Sequence, residues 1–338
     1  AYQQGQSQQF QNYQTALNKA FLGYKKTQLQ AFNAYKKAIA ERWSVIETST
    51  PQQWVTYDPD LATKVVVDYQ TQQLRIDSVL PPSPEQDAKI EALLKQINQS
   101  NLTTLIERDP VDKTLNQFAE QQNQKLAKIR PQKQPLNNDK STPSATPQST
   151  LQTAPIQLPQ NLPKPTMVKT PQGQKLTRFV VPLSSQQLNP RERKFIAEVD
   201  QQAQKWQLQP SLILAITKTE SAFNPLAKSH IPAFGLMQIV PRSAGLDASQ
   251  LIYGEAKLLS PNFLYTPENN IHVGSAYLYI LQTRYLKNIQ NPTSQLYCMI
   301  ASYNTGAGNV AKTFTGSTKL SRLSQRVNQM SPPQVHAH

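Results

Sequence analysis

The chain has 338 residues, 38% of them hydrophobic, and a formal net charge of +14. This content is enough for two modest domains. The single cysteine, Cys298, excludes an internal disulfide, and the four histidines form no recognisable metal site, so we expect no metal and no cofactor. No apolar run approaches the ~18–20 residues of a membrane-spanning helix. A basic chain attracts polyanions, but no nucleic-acid-binding motif is present, so nucleic acid is not an expected partner.

Residues 1–130 predict a small α+β domain. Apolar spacing predicts a long amphipathic helix over 8–47. One stripe consists of Leu22, Leu29, Phe32, Ile39 and Trp43, and a second consists of Phe10, Tyr13, Leu17 and Tyr24. We expect this helix to pack on the rest of the domain. The alternative is a helix that lies on a membrane surface, because aromatic residues and lysines are mixed along it.

The rest of this domain is predicted from alternation and from helix-start signals. Alternating apolar residues in 65–69 and 74–76 predict a hairpin, and 54–57 adds a strand. Ser83-Pro84 and Asp109-Pro110 predict the starts of two helices. We expect the domain to have a structural or positioning role, and the alternative is a module that binds a partner. Residues 131–175 predict a flexible linker rich in Pro, Gln, Ser and Thr, because 131–165 has few large apolar groups.

Residues 176–338 predict an almost entirely helical domain. An extended segment over 176–182 precedes helices over 190–207, 211–221, 241–246, 267–286 and 293–303. This domain carries fifteen Lys and Arg against seven Asp and Glu, so most of the excess positive charge of the chain lies here.

Glu220 lies where one of these apolar helix patterns stops. The helix begins at Pro210-Ser211, and Asn224-Pro225 marks its end. In the last turn, the negative end of the helix dipole and apolar neighbours both raise the pKa of a carboxyl group. A raised pKa suits a general acid. The alternative is a solvated glutamate at a helix end.

Two later motifs favour the catalytic interpretation. Gly-Leu-Met-Gln occupies 235–238, and Tyr-Asn-Thr-Gly-Ala-Gly occupies 303–308. Glycines beside aromatic and amide side chains fit a cleft in which backbone approaches a ligand closely. With Glu220-Ser221 before them, in this order and spacing, they resemble the catalytic domain of the soluble-type lytic transglycosylases over about residues 176–330. The resemblance implies a goose-lysozyme-like fold. The expected fold class is therefore mainly α, a lysozyme-like helical catalytic domain preceded by the small α+β domain.

The resemblance also implies roles for individual residues. Glu220 matches the catalytic acid and base. The positions that match the sugar-binding cleft are Ser221, Ser229, Gly235, Met237, Gln238, Tyr303 and Asn304. From the residues alone, Met237 fits a core position equally well, Ser229 fits an ordinary loop, and Tyr303 fits a packing aromatic.

The chemistry that the resemblance implies needs one acid. Glycoside hydrolases usually use two carboxylates. Of the seven acids in this domain, Glu220 alone has a motif around it. The resemblance implies cleavage of the β-1,4 bond between N-acetylmuramic acid and N-acetylglucosamine, with formation of a 1,6-anhydro sugar. The alternatives are a lysozyme-like hydrolytic muramidase and an inactive murein-binding protein.

Partners and location follow from the same resemblance. The expected partner is the peptidoglycan glycan strand. The expected location is the periplasm, in association with the outer membrane of a Gram-negative bacterium. Membrane association through an N-terminal lipid anchor that is not present in this chain is a further expectation. The family domain continues past 326–331 with another helix, so we expect a shortened C-terminus here.

Overall fold

The computed structural model describes the backbone of residues 2–130, 158–159, 161–183, 191–230 and 232–338, and the side chains of these residues except 2–10 and 191–194. Most of the predicted linker, and Phe10 of the predicted second stripe, therefore lie outside what the structure describes. Among the described helices, none combines the length and the apolar character that crossing a bilayer requires.

The N-terminal part contains four helices: α1 Tyr2–Ala40, α2 Pro84–Gln99, α3 Leu102–Glu107 and α4 Pro110–Ile129. Two of them begin as predicted. The Ser83 hydroxyl accepts a hydrogen bond from the Gln86 N–H, and the Asp109 carboxylate accepts from the first N–H groups of α4. These side chains satisfy donors that have no partner inside the helix. The short helix α3 was not predicted.

Helix α1 packs on the rest of the N-terminal part as predicted, but one of its two predicted apolar stripes is only partly buried. Leu17 and Tyr24 of the second stripe are buried, and so are Ile39 and Trp43 of the first. Leu22 and Leu29 instead are 57% and 60% exposed. A straight helix turns about 100° per residue, so a stripe with 3/4 spacing drifts around a helix of this length. One face packs on α4, and the face that carries the two leucines points away.

The described strands form one antiparallel sheet in the order β1-β2-β3-β5-β4. Their bounds are β1 Gln53–Tyr57, β2 Thr63–Asp68, β3 Gln73–Ser78, β4 Thr166–Lys169 and β5 Lys175–Pro182. The hairpin of β2 and β3 is confirmed, with Val65 opposite Ile76. The extended segment after the linker is β5, which pairs with β3 so that Ile76 faces Phe179.

Strand β4 corrects part of the linker prediction. It lies within 131–175, which we expected to be flexible, yet Thr166 pairs with Arg178 and Lys169 pairs with Lys175. Three of its four residues are exposed at the edge of the sheet, so the sequence carries no apolar alternation there. Residues 131–157 lie outside the described residues, and their flexibility stays a prediction.

The C-terminal part is helical, and the expected mainly α fold class is confirmed. Its helices are α5 Arg191–Trp206, α6 Pro210–Ser221, α7 Ala244–Tyr253, α8 Pro261–Tyr265, α9 Pro267–Ile280 with a π-helical turn Leu281–Tyr285, α10 Pro292–Thr305, α11 Ala307–Thr315, α12 Leu320–Val327 and α13 Pro332–Ala337. Helix α7 begins later and runs longer than predicted. Helices α8, α11, α12 and α13 were not predicted, because each is short.

Described residues of both parts contact each other closely. The Tyr13 hydroxyl donates to the Ala256 carbonyl oxygen across 3.0 Å, and the side chains of Asn116 and Asn262 share a hydrogen bond of 2.8 Å. Buried apolar residues of both parts belong to one continuous core cluster. The division into domains 1–130 and 176–338 stays a prediction, but the two parts share a core and a sheet.

Candidate active site

Helix α6 positions Glu220 in its penultimate place, as predicted. The helix begins at Pro210 and buries Ile213, Ile216 and Thr217 against the core. It ends because Ala222 and Phe223 adopt left-handed backbone conformations, with φ of 50° and 60°. Glu220 is half-buried at this end. The structure therefore places its carboxyl group at the negative end of the helix dipole.

The surroundings of Glu220 favour its protonated form. Burial raises the pKa of Glu220, and a hydrogen bond from the Asn304 side chain opposes that rise without cancelling it. No carboxylate among the described residues contributes to the shift. Among the described residues, the pKa of Glu220 is therefore raised by desolvation and not by repulsion from a second acid.

The described residues of the segment after α6 fold back on one another. Isolated β-bridges link Lys228 to Phe234, and Phe234 to Ile239. The Gly235 N–H donates to the Ala227 carbonyl oxygen across 2.9 Å. We call residues 227–239 the cleft loop. It brings the predicted residues Ser229, Gly235, Met237 and Gln238 into one short segment.

Gly235 is required by its conformation and by its neighbours. Its φ is +75°, and a Cβ there would lie 2.3 Å from both the Leu264 carbonyl oxygen and the Asn270 Nδ2. A residue with a side chain would be strained and would also collide with backbone. The predicted close approach at Gly235 is thus an approach of protein to protein, which shapes the loop.

Asn270, on α9, holds the cleft loop through hydrogen bonds to its backbone. The sequence analysis did not predict this residue. Its buried Nδ2 donates to the carbonyl oxygens of Phe234 and Leu264 at 2.8 and 2.6 Å. Its Oδ1 accepts from the Met237 N–H at 2.7 Å. Asn270 thus satisfies three buried backbone groups. No local signal marks it, because an asparagine within a helix pattern resembles any polar helix residue.

Tyr303 links α10 to the same loop. Its hydroxyl donates to the Met237 carbonyl oxygen across 2.7 Å, and its ring lies 5.7 Å from that of Tyr277. Burial raises the pKa of Tyr303 well above its ordinary value, and the nearby Glu220 carboxylate adds to the rise. Tyr303 therefore stays a neutral hydrogen-bond donor near Glu220, and it fixes the loop.

The other predicted site residues differ in their burial and in their hydrogen-bond partners. The Gln238 backbone has φ of +47°, its Nε2 donates to the Gly235 carbonyl oxygen, and its buried Oε1 has no partner among the described residues. Met237 is fully buried and packs on Gly274, which is the core position that the residues alone allowed. Ser221 is fully buried, and its hydroxyl donates to the Thr217 carbonyl oxygen across 2.9 Å, so it faces its own helix.

Ser229 lies in the cleft loop but lines a cavity whose other lining residues do not include Glu220. It is half-buried, its N–H donates to the Ala233 carbonyl oxygen, and it lines a cavity of about 150 Å³ together with Thr50 and His230. The structure thus brings together Glu220, Tyr303, Asn304 and the 235–238 segment by direct contacts. It leaves Ser221 turned inward and Ser229 beside a separate cavity.

A buried ionic cluster ties the cleft loop to the N-terminal part. Lys228 Nζ lies 3.0 Å from Asp109 Oδ2 and 2.7 Å from Asp112 Oδ1. The Tyr265 hydroxyl donates to Asp112 Oδ2 across 3.0 Å. Burial raises the pKa of Asp112 to about 7, against the attraction of Lys228. The partners are more than a hundred residues apart in the chain, so the sequence gives no signal for them.

The helical part of this chain is similar to known proteins. Residues 198–324 match the family model "Transglycosylase SLT domain". The chain is 42% identical over 156 residues to membrane-bound lytic murein transglycosylase C of Haemophilus influenzae (strain PittEE), covering 46% of this chain and 43% of the relative. It is 45% identical over 149 residues to the protein of the same name from Salmonella arizonae, covering 44% of this chain and 41% of the relative.

A solved structure is also similar. It is an inactive mutant of the lytic transglycosylase Slt from Pseudomonas aeruginosa, at 28% sequence identity and a TM-score of 0.30, covering 41% of this chain and 22% of that one. The matches span less than half the length of the curated relatives. The matched residues contain Glu220, the cleft loop and Tyr303, so this segment is similar to the transglycosylase family that the three motifs predicted.

Proposed function

We propose that this chain is a lytic transglycosylase of peptidoglycan that uses Glu220 alone as acid and base. The observation that carries the proposal is the placement of Glu220. It is a half-buried carboxyl with a raised pKa, it contacts Asn304, and it lies near the neutral phenol of Tyr303. A glycosidic bond needs a proton donor of this kind at its leaving oxygen.

The proposed reaction has two proton transfers through one group. Protonated Glu220 gives its proton to the oxygen between N-acetylmuramic acid and N-acetylglucosamine. The bond from muramyl C1 to that oxygen breaks, and the leaving sugar takes the electron pair. Glu220, now a carboxylate, accepts the proton of the muramyl 6-hydroxyl as that oxygen bonds to C1. The product is a 1,6-anhydro sugar, the acid is regenerated, and no water is consumed.

The neighbouring residues support this sequence by position. The acetamido group of the substrate would stabilise the positive charge that develops at C1. The Gln238 Oε1 is a buried acceptor without a described partner, and the substrate's N–H or hydroxyl groups are suitable donors. The Met237 carbonyl oxygen accepts a hydrogen bond from Tyr303, which holds the segment that carries Gln238 in place. A sugar bound against this segment would be held in a defined orientation relative to the acid.

The positive charge of 176–338 supports an anionic substrate, and the names of the relatives support a location in the cell envelope. The 176–338 region carries fifteen basic and seven acidic residues, which favours an anionic polymer such as murein with its peptide carboxylates. The relatives are named as membrane-bound enzymes of murein, so we place this chain in the cell envelope, in the periplasm. A lipid anchor, association with the outer membrane and a positioning role for residues 1–130 remain parts of this proposal.

Replacement of Glu220 by glutamine tests the proposal. We expect Glu220→Gln to keep the fold and to lose about 10³-fold or more of the release of anhydro-muropeptides from purified sacculi, since the proton donor is gone. Glu198→Gln is the matched control, because Glu198 is also half-buried with a pKa raised by burial, but it lies on α5 and bonds to Gln202. The control should retain activity.

Product masses decide between the remaining functions. An anhydro product is lighter by one water than the product of a hydrolytic muramidase. Products with a reducing-end muramic acid would replace the transglycosylase proposal by hydrolysis. Sacculi that bind the protein but release nothing would assign it a binding role only.

A further inference from the structure

The exposed face of α1 collects positive charge without any negative charge. Helix α1 contains five lysines and no aspartate or glutamate over Tyr2–Ala40. The lysines are Lys19, Lys25, Lys26, Lys36 and Lys37. At about 100° per residue, all five project within about 70° of the line that joins Leu22 and Leu29. The helix therefore has one cationic face with two leucines along its centre, which we call the lysine–leucine face.

The lysines of this face have no acidic partners among the described residues. The described salt bridges of lysines involve Lys64, Lys89, Lys228 and Lys257, none of which is on α1. Four of the five lysines are exposed, and Lys36 is half-buried, with its Nζ 5.5 Å from the centre of the Phe32 ring. A surface salt bridge stabilises a protein only slightly. Several cations without acidic partners, in contrast, create a positive electrostatic potential at the surface.

The leucines add an apolar element to that field. Leu22 and Leu29 are two of the largest exposures among the large hydrophobic side chains, at 57% and 60%. They lie two helical turns apart, and the flanking lysines can reach outward on either side while their stems stay beside the leucines. Leucines at the centre with lysines at both edges are the arrangement of helices that lie in the headgroup region of a bilayer.

We propose that the lysine–leucine face binds the surface of a bilayer that contains anionic phospholipid. The leucines enter between the headgroups, and the lysines contact the phosphates. The opposite face of α1 carries Leu17, Phe21 and Tyr24 into the protein core, so the helix binds lipid without leaving the fold. This binding needs no acyl chain, and it does not depend on the reaction proposed for Glu220.

The strength of membrane binding follows from the contributions of the lysines and the leucines. A lysine near an anionic membrane contributes about fivefold in binding, from roughly 1 kcal/mol each. Burying the exposed part of a leucine side chain contributes about tenfold. Removing three lysines together should lower the partition coefficient about a hundredfold, and removing two leucines together should do the same. Sedimentation with vesicles resolves a change of this size.

The experiment measures the 338-residue chain in vesicle sedimentation. The vesicles are phosphatidylcholine alone or an equimolar mixture with phosphatidylglycerol. We expect binding to the mixed vesicles only, weakened by added salt. K19Q/K25Q/K26Q and L22N/L29N should each lose about a hundredfold. The controls are K312Q/K319Q/R322Q and I196N/L296N, which change exposed residues of the helical part and should bind like the parent chain.

Each other outcome overturns the proposal. Equal binding to both vesicles would remove the role of charge, and equal losses in the controls would remove the role of this face. If the lysine variant bound vesicles normally but lost binding to sacculi, the face would be a murein-binding surface instead. Release of anhydro-muropeptides by the α1 variants should match that of the parent chain, so failure here leaves the Glu220 proposal to its own test.

Discussion

The hydroxyl of Tyr303 donates to the main-chain carbonyl oxygen of Met237 across 2.7 Å, and this contact joins α10 to the cleft loop. Asn270 joins the same loop to α9 through the Met237 N–H. Both polar groups of the Met237 peptide units are thus held by side chains of different helices. The segment that carries Gln238 is fixed at the residue before it.

We expect Tyr303→Phe to weaken both stability and activity. The substitution leaves the Met237 carbonyl oxygen without its donor, which costs about 1–3 kcal/mol in the free energy of unfolding. A loop that is less firmly held should lower the rate on sacculi by about ten- to a hundredfold. Urea unfolding and product release measure the two effects. Tyr297→Phe on the same helix is the control, and equal effects in both variants would contradict the role of the Met237 contact.

Replacement of Asn304 tests the pKa of Glu220. The acid must be protonated, so activity should fall as the pH rises through the pKa of Glu220. The Asn304 hydrogen bond lowers that pKa. Asn304→Ala should therefore move the descending limb of the kcat profile to higher pH. Asn309→Ala, which removes an exposed side chain that bonds to the Thr305 carbonyl oxygen, should leave the limb in place. A shift to lower pH would contradict the assignment.

Two glycines with similar backbone conformations separate steric collision from backbone strain. Gly235 has φ of +75° and no room for a Cβ, whereas Gly316 has φ of +69° and open space. We expect Gly316→Ala to cost about 1–2 kcal/mol in the free energy of unfolding, from the left-handed conformation alone. Gly235→Ala should cost more, on the order of 4 kcal/mol. Equal costs in urea unfolding would show that the loop moves aside.

Asp112 makes the stability depend on pH in a defined direction. Its pKa is about 7 in the folded protein, and an unfolded aspartate titrates near about 4. The folded state therefore keeps a proton that the unfolded chain has lost between these values. The contribution of Asp112 is complete below about pH 4 and declines as the pH rises toward about 7.

Asp112→Asn should remove this decline. Relative to the variant, the parent chain should lose a few kcal/mol of unfolding free energy between about pH 4 and 7. Asparagine keeps an acceptor for the Tyr265 hydroxyl, and Lys228 keeps Asp109 as its partner. Urea unfolding across this range measures the slope. Exposed Glu91→Gln is the control, and a parent slope no steeper than that of Asp112→Asn would contradict the prediction.

Local signals in the sequence predicted several helix starts, one helix end and the hairpin strands. The caps Ser83 and Asp109, the end of α6 at Glu220 and the strands of the hairpin all depend on residues a few positions apart. Glu220, Tyr303 and Asn304 also meet as the motif order indicated. Ser221 shows the limit of a motif, because its hydroxyl bonds within α6 and no spacing distinguishes that from a hydroxyl in a cleft.

Contacts between distant residues were not predictable. Lys228 pairs with acids at the start of α4, Asn270 supports the cleft loop, and β5 pairs with β3, all between residues far apart in the chain. The first stripe on α1 failed for a different reason, because residues with a 3/4 spacing drift around a helix of this length. The short helices α3, α8 and α11 have too few residues for a period to appear.

The pairing of β5 with β3 has a consequence for how the molecule would come apart. The chain leaves the N-terminal part after α4, passes through 131–157, and then returns to add β5 to the sheet of that same part. Cleavage of the polypeptide in 131–157 would therefore yield two fragments that stay associated through β-pairing and through the ionic cluster at Lys228. Denaturant would release them by unfolding these contacts.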